Sequence, residues 1–288
     1  MISCFPNCRN SNRRTAHESK KPVLALSILP QKYFASRIGG SLIETIVLAG
    51  EGQNPHNYEI SPRQMQELAK ADAWILSGSE FEIMVRPKIE NIFSNLKIVN
   101  GVEGLSFRLL ESGHDHNDEH SGLEIDRHAW LGLEGAKLMA MHIAACLCVL
   151  DEANAQFYRE NCDKLLCEIE AEFEKLKKDL EPLMGQTVFV YHPSFGYFFD
   201  EFGIIQEAVE SGGKEPSLRQ LGLLIEKARL EKARVIFVQA QFPATAAGTV
   251  AAAIDAEIVS LDPLAEDWMA NIRIMGEALK RAAGTTGE

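Results

Sequence analysis

The alternation of short apolar segments with helical segments predicts an α/β fold with two lobes, each a parallel β-sheet flanked by helices. In each half of the 288 residues, runs typical of buried strands alternate with segments that begin like helices. Strands connected in this way pair in parallel, because each helix carries the chain back to the same end of the sheet. A long segment without glycine separates the two halves and predicts one rigid helix that joins the lobes.

The first lobe is expected over residues 22–150. Its predicted strands are short and apolar, and they span residues 23–28, 46–48 and 73–77. Between the last two, the sequence Ser61-Pro62-Arg63-Gln64 predicts a helix start. Serine caps the helix, proline suits its first turn, and the glutamine can bond back to the cap.

The second lobe, residues 184–288, repeats this plan. Its predicted strands span residues 188–191, 235–238 and 257–261. The sequence Ser217-Leu218-Arg219-Gln220 predicts a helix start with the same Ser-x-Arg-Gln pattern. The repeated pattern favours two similar lobes.

Residues 151–183 form the predicted linking helix. Apolar residues recur along it at helical spacing, namely Leu165, Ile169, Phe173, Leu176 and Leu180. At the usual rise per residue the helix would be roughly 45 Å long. A rigid helix between the lobes would limit domain closure to a small tilt.

Two segments bear on membrane association. The most apolar stretch, residues 138–150, predicts a buried helix, and no apolar run is expected to reach membrane-spanning length. Residues 1–21 are polar and predict a disordered lead-in. Within it, Ser3 before Cys4 is similar to the end of a bacterial lipoprotein cleavage site whose apolar part would lie upstream. Cys4 is therefore either a membrane tether or an incidental cysteine in a flexible terminus.

The net charge limits the classes of binding partner, and the spacing of the cysteines limits the kinds of metal site. The net charge of −12 argues against nucleic acid and against a basic membrane-binding patch, and it suits a protein that handles cations. The six cysteines contain no Cys-x-x-Cys pair, so they do not predict a zinc motif. Most are interpreted as packing residues, and a disulfide stays open.

Four residues are candidate metal ligands because each sits where an extended segment ends and a turn begins. They are His56, His128, His192 and Asp262. Side chains at such positions can converge on one cleft, and three imidazoles with a carboxylate suit Zn²⁺. The alternatives are structural histidines, and for Asp262 a cap on a helix that begins near Leu264.

The motifs around these residues, taken in order, resemble those of bacterial ABC-transporter substrate-binding proteins that carry zinc or manganese. This family includes zinc-uptake binding proteins and some streptococcal adhesins. The motifs are Pro55-His56-Asn57-Tyr58-Glu59, His128-Ala129-Trp130-Leu131, Tyr191-His192-Pro193-Ser194-Phe195 and Leu261-Asp262-Pro263-Leu264. The resemblance covers nearly all of residues 22–282.

The resemblance implies a metal ion held between the lobes by His56 and His128 from the first lobe and His192 and Asp262 from the second. Members that look built for manganese tend to carry a carboxylate at the third position, so His192 favours zinc. The implied function is capture of Zn²⁺ at the cell envelope, outside the cytoplasmic membrane, by a monomer that delivers it to an ABC-transporter permease.

The chain departs from the family pattern at two positions. Arg127 stands where the family usually has proline, and a cation so near the metal is unfavourable unless it points away or pairs with Asp126. Gln239 stands where many members carry glutamate, which removes one carboxylate near the cleft. The imidazoles should also donate their second N–H to outer carboxylates, for which Glu59, Asp126 and Glu80 are the candidates nearest in sequence.

A segment rich in histidine and acidic residues precedes the second ligand motif. It offers His114, His116 and His120 as an auxiliary metal loop that could collect zinc or sense its abundance. The alternative is a solvated polar loop whose histidines bind nothing.

Three other functions compete with zinc transport. A manganese-binding protein and an adhesin belong to the same family. A zinc hydrolase would need three protein ligands, an open position for water and a general base. No His-Glu-x-x-His motif occurs, so the chain is interpreted as a binding protein and not as an enzyme.

Overall fold

The computed structural model describes residues 20–110, 125–210, 217–239, 241 and 245–284. The predicted tether at Cys4 and the auxiliary loop with His114, His116 and His120 lie outside the described residues.

The first lobe contains a four-stranded parallel sheet. Its strands are β1 (Val23–Ile28), β2 (Glu44–Ala49), β3 (Ala73–Leu76) and β4 (Lys97–Asn100), and they pair in the order β2-β1-β3-β4. Its helices are α1 (Leu29–Gly39), α2 (Pro62–Leu68) and α3 (Glu80–Ile92). Strand β1 is buried along its whole length, as expected for a central strand covered on both faces. The three predicted strands are confirmed, whereas β4 was missed because only its two middle residues are apolar.

Two helices, α4 (Leu133–Leu150) and α5 (Ala155–Asp179), precede the second sheet. The strands of that sheet are β5 (Thr187–Val190), β6 (Ile205–Ala208), β7 (Val235–Gln239) and β8 (Glu257–Leu261). They pair in parallel in the order β6-β5-β7-β8, the same arrangement as in the first sheet. The accompanying helices are α6 (Gly196–Asp200), α7 (Leu218–Leu230), α8 (Thr245–Ile254) and α9 (Trp268–Gly284). The predicted two-lobe α/β fold with similar lobes is confirmed.

Both predicted helix starts have the expected geometry. Ser61 Oγ accepts a hydrogen bond from the Gln64 amide at 3.3 Å, and the Gln64 side chain accepts one from the Ser61 amide at 3.0 Å. Ser217 and Gln220 form the same reciprocal pair before α7. Each pair satisfies amide groups that the first turn of a helix leaves without intrahelical partners.

The linking helix is shorter than predicted. Continuous α-helix covers only α5, about 38 Å at the usual rise, while residues 152–154 and 181–183 form 3₁₀ turns. At the first end, the Asp151 carboxylate accepts hydrogen bonds from Asn154 and Tyr158, both at 2.7 Å, which hold the chain in a turn. At the other end, Pro182 lacks the N–H that a continuing helix would need.

Among the described residues, the larger of two hydrophobic core clusters extends through both lobes. Trp268, at the start of α9, packs against Phe34 of the first lobe and stacks on Phe173 of α5. The indole N–H of Trp268 also donates to the carbonyl of Trp130 at 2.7 Å, and that of Trp130 donates to the carbonyl of Pro263 at 2.8 Å. The lobes therefore share packed and hydrogen-bonded contacts beside the cleft as well as the helix that links them.

Helix α4 holds the most apolar stretch. Its 18 residues are long and apolar enough to cross a membrane, with a mean hydropathy of 1.6. The expectation that no segment reaches that length was wrong, because the helix begins at Leu133, five residues before the apolar stretch, and carries only Glu134 and Lys137 as charged residues. The core helix of a globular domain meets the same test, and α4 packs against α1 and α5.

The turn that follows His128 rests against the first turn of α4 at Gly135. A Cβ atom on Gly135 would lie 2.0 Å from the carbonyl oxygen of Ala129. We expect Gly135→Ala to lower the free energy of unfolding by about 1–3 kcal/mol, since the backbone must move to make room. Urea unfolding measures this change.

Gly222→Ala in α7 is the matched control, because nothing lies within 4 Å of a Cβ atom added there. It should raise the free energy of unfolding by up to about 1 kcal/mol, the difference between alanine and glycine in a helix. A Gly135→Ala protein as stable as the parent would contradict the tight packing of this turn.

Candidate metal centre

Three of the four predicted ligands come together in the cleft. His56 lies in the loop after β2, His128 precedes the turn that leads to α4, and His192 follows β5. One ring nitrogen from each lies within 4.8 Å of the other two. The Nε2 atoms of His128 and His192 are 3.3 Å apart. In a tetrahedral zinc site with Zn–N bonds of about 2.0–2.1 Å, ligand nitrogens are about 3.3 Å apart, so this pair already has the required spacing.

Each imidazole is held from behind by a carboxylate. The Nδ1 atoms of the three rings lie within hydrogen-bond distance of Glu80 (His56, 3.0 Å), Asp126 (His128, 2.8 Å) and Glu210 (His192, 2.6 Å). A ring whose Nδ1–H donates to a carboxylate carries its lone pair on Nε2, which is the arrangement found behind metal-binding histidines.

Two of the expected outer carboxylates are therefore confirmed and one is wrong. Asp126 and Glu80 take the expected places, whereas Glu59 is exposed and Glu210 holds His192. Glu210 was missed because it follows β6, a strand that the sequence pattern did not predict, whereas Glu80 follows the predicted β3.

Burial and charge shift the pKa values of these groups. Burial lowers the pKa of His192 to about 4, and the nearby His128 and His56 add to the effect against the opposing influence of Glu210. Burial alone would raise the pKa of Asp126, but hydrogen bonding to His128 and the charges of His128 and Arg108 hold it below its ordinary value. The hydrogen bond to His56 lowers the pKa of Glu80. His192 therefore stays neutral, as a metal ligand must be, well into the acid range.

The side chain of Gln239 fixes the backbone of His192. Its Oε1 accepts a hydrogen bond from the His192 amide at 3.1 Å, and its Nε2 donates to the His192 carbonyl and to Ser194 Oγ. Only a group that both donates and accepts can make this set of bonds. These bonds explain why an amide, and not a carboxylate, stands at residue 239. The carboxylate that bonds to the His192 ring is that of Glu210.

Arg127 neither points away from the site nor pairs with Asp126. Its guanidinium donates to the Gly78 carbonyl at 3.2 Å and borders the same cavity as the three imidazoles. Its charge helps to lower the pKa of Glu80. Asp126 pairs instead with Arg108, at 3.4 Å.

The fourth predicted ligand, Asp262, lies outside the three-imidazole group and is not among the residues that line the cavity. Its Oδ1 accepts hydrogen bonds from the Leu264 amide at 2.9 Å and from Gln241 Nε2 at 2.6 Å. It does not cap a helix at Leu264, because the next helix begins at Trp268 and Asp267 accepts a bond from its first turn. The neighbours Pro263 and Leu264 border the cavity.

The cavity itself is small. It has a volume of about 20 Å³, room for about one water-sized sphere. Three imidazoles border it, so its donors are those that bind Zn²⁺ and other first-row transition metals better than Mg²⁺ or Ca²⁺.

The comparisons with known proteins match this chain to proteins of zinc and manganese uptake. A family model described as zinc-uptake complex component A, periplasmic, matches residues 24–282. A solved structure described as the crystal structure of ZnuA superposes with a TM-score of 0.84 at 32% identity, covering 92% of this chain and 100% of that one.

Two curated relatives match over most of their length. The high-affinity zinc uptake system protein ZnuA of Yersinia pestis is 26% identical over 259 residues, which are 83% of this chain and 81% of the relative. The manganese ABC transporter substrate-binding lipoprotein PsaA of Streptococcus anginosus is 25% identical over 254 residues, 83% and 77% of the two chains.

The lowered pKa of His192 predicts how the stability of the metal-free protein depends on pH. Between the ordinary value near 6.5 and about 4, the unfolded chain binds a proton at this imidazole and the folded chain does not. The free energy of unfolding should therefore fall as the pH falls through this window, by up to about 3 kcal/mol from this group.

Urea unfolding in the presence of a chelator at pH 7 and pH 4.5 measures the effect. His192→Gln should reduce the pH dependence, and His142→Gln, on α4 away from the cavity, is the control for the loss of a histidine elsewhere. Equal pH dependence in the parent and in His192→Gln would contradict the burial of a neutral imidazole.

Proposed function

The chain belongs to the family of the zinc-uptake complex component ZnuA, and on this premise we propose that it captures Zn²⁺ outside the cytoplasmic membrane and delivers the ion to an ABC-transporter permease. The resemblance to zinc and manganese substrate-binding proteins is thereby confirmed. The observation that carries the proposal is the group of three imidazoles with carboxylates behind them.

The proposed ligands are His56, His128 and His192, joined by Asp262. Oδ1 of Asp262 is held by Gln241 and by the Leu264 amide, so its other oxygen would supply the fourth bond after a small approach of the second lobe. Together they complete a four-ligand set of the kind that binds Zn²⁺.

Zinc is favoured over manganese at this site. Mn²⁺ prefers oxygen donors, whereas imidazole suits zinc, and three of the four proposed donors are imidazoles. Manganese transport, the activity in the name of the Streptococcus anginosus relative, is the alternative within the same family.

The proposed carrier binds the ion without chemically transforming it. Each carboxylate behind the cavity is already engaged with an imidazole Nδ1, so these groups orient ligands and are not placed as general bases toward the open side. Release would follow docking on the permease, which would tilt the lobes and open the Asp262 side of the site.

The first test is a competitive titration of the chelator-stripped protein with Zn²⁺ and Mn²⁺. We expect one tight zinc site that displaces Mn²⁺. His192→Ala should weaken zinc binding by more than about 100-fold, beyond what the loss of an outer hydrogen-bond partner costs. His142→Ala controls for the loss of a histidine elsewhere. Preference of the parent for Mn²⁺ would overturn the substrate, and unchanged binding by His192→Ala would overturn the ligand set.

The second test concerns Asp262. Asp262→Ala should keep zinc binding through the imidazoles but release the ion at least about tenfold faster, because one charged donor is lost. Asp267→Ala, five residues further along and outside the cavity, is the control. Stopped-flow transfer of zinc to a chelator measures both rates. An Asp262→Ala protein that binds and releases zinc like the parent would exclude this carboxylate from the site.

A further inference from the structure

One arginine contacts both sides of the cleft behind the imidazoles. Arg108, from the segment after β4, bonds to Asp126, which holds His128, and to α6, which follows His192. Its side chain is 15% exposed. It is therefore placed to act on two proposed ligands from different lobes without contacting either.

On the first-lobe side, Arg108 completes the bonding of a buried carboxylate. Asp126 is fully buried, and its Oδ1 is engaged by both the amide and the Nδ1 of His128. Its Oδ2 accepts from the Arg108 guanidinium at 3.4 Å, and its amide donates to the Arg108 carbonyl at 2.9 Å. With both oxygens engaged, the carboxylate has a defined orientation, and so does the His128 ring.

On the second-lobe side, the same residue bonds twice to α6. Its Nε donates to Asp200 at 2.8 Å, and its amide donates to Tyr197 Oη at 2.8 Å. Tyr197 Oη in turn donates to the Asp126 carbonyl at 3.1 Å. A Cβ atom on Gly196 would lie 2.6 Å from the Arg108 guanidinium carbon, so glycine at this position permits the close approach.

These contacts link the segment of His128 to the segment of His192. We propose that Arg108 is a positioning residue that sets the 3.3 Å separation between the His128 and His192 Nε2 atoms and thereby the affinity and residence time of the ion. This inference rests on the proposed zinc-binding function. Arg108 is not a ligand, and it acts through Asp126 and Tyr197.

The direction in which zinc affinity changes when Arg108 is replaced distinguishes a positioning role from a simple effect of its charge. Arg108 carries a positive charge near a site for a cation, so removal of that charge alone should strengthen zinc binding. Loss of positioning should weaken it. Arg108→Lys separates the two further, because lysine keeps the charge but cannot bond to Asp126 and Asp200 with the planar fork of arginine.

The test compares zinc affinity and dissociation rate across matched variants. We expect Arg108→Met and Arg108→Lys to weaken zinc binding by about 10–100-fold, the range for outer partners of metal ligands, mainly through faster dissociation. Tyr197→Phe should show a smaller loss of the same sign. Arg37→Met is the control, since Arg37 makes a two-oxygen pair with Glu168 between α1 and α5.

A second measurement does not depend on zinc. Hydrogen exchange of the metal-free Arg108→Met protein should be faster than in the parent at the amides of residues 126–128 and 194–200, and unchanged in α7. If Arg108→Met fails to fold, zinc binding and hydrogen exchange are measured on Tyr197→Phe and Asp200→Asn instead.

The outcomes separate the two claims. A parent that binds no zinc would overturn the proposed function and with it the claimed effect on zinc affinity, whereas a change in exchange would still support the ordering of the His128 and His192 segments by Arg108. Tighter zinc binding by Arg108→Met, or parental affinity in Arg108→Lys, would show an effect of charge and overturn the positioning role. Parental affinity and exchange in folded variants would also overturn it.

Discussion

The pairing of each imidazole with a carboxylate is the interaction on which the site depends. Three rings with nitrogens within 4.8 Å of one another form a metal site only if their Nε2 lone pairs face the same point. Nothing in a histidine side chain selects that tautomer or that rotation, so a second group must accept the Nδ1–H. The carboxylates do this, and buried carboxylates need such donors in return. Six groups from separate segments must therefore be placed together.

The parallel sheets achieve this placement. His56 follows β2, Glu80 follows β3, His192 follows β5, and Glu210 follows β6. In open parallel sheets, the segments beyond the carboxyl ends of the strands border the crevice in which ligands bind. Two such sheets with the same strand order direct these segments toward a common cleft. The core shared by α5 and α9 packs between the two sheets, and we expect it to permit only a small tilt of the lobes.

Local signals in the sequence were sufficient for much of the fold, and together with the family resemblance they selected the three imidazoles. Apolar runs located six of the eight described strands, and the Ser-x-Arg-Gln pattern located two helix starts, because these features depend on neighbouring residues. The partners of the imidazoles were harder. Asp126 lies two residues from His128 and was found, whereas Glu210 follows β6, whose mixed Ile-Gln-Glu-Ala sequence has no clear strand pattern. Contacts that depend on how strands are ordered in a sheet leave no trace in local sequence.

The charges around the cavity explain why an arginine can lie beside a cation site. The carboxylates of Glu80, Asp126 and Glu210 lie behind the imidazoles, so an ion in the cavity would interact favourably with all three. The hydrogen bond to His56 is the main cause of the lowered pKa of Glu80, and the charge of Arg127, which borders the cavity, adds to it. A carrier must also release its ion, and a site bound by oriented nitrogens loses affinity when the lobes tilt by a small amount. In the proposed release, Arg127 would reduce the part of the binding that depends on charge, and a tilt of the lobes would remove the part that depends on ligand geometry.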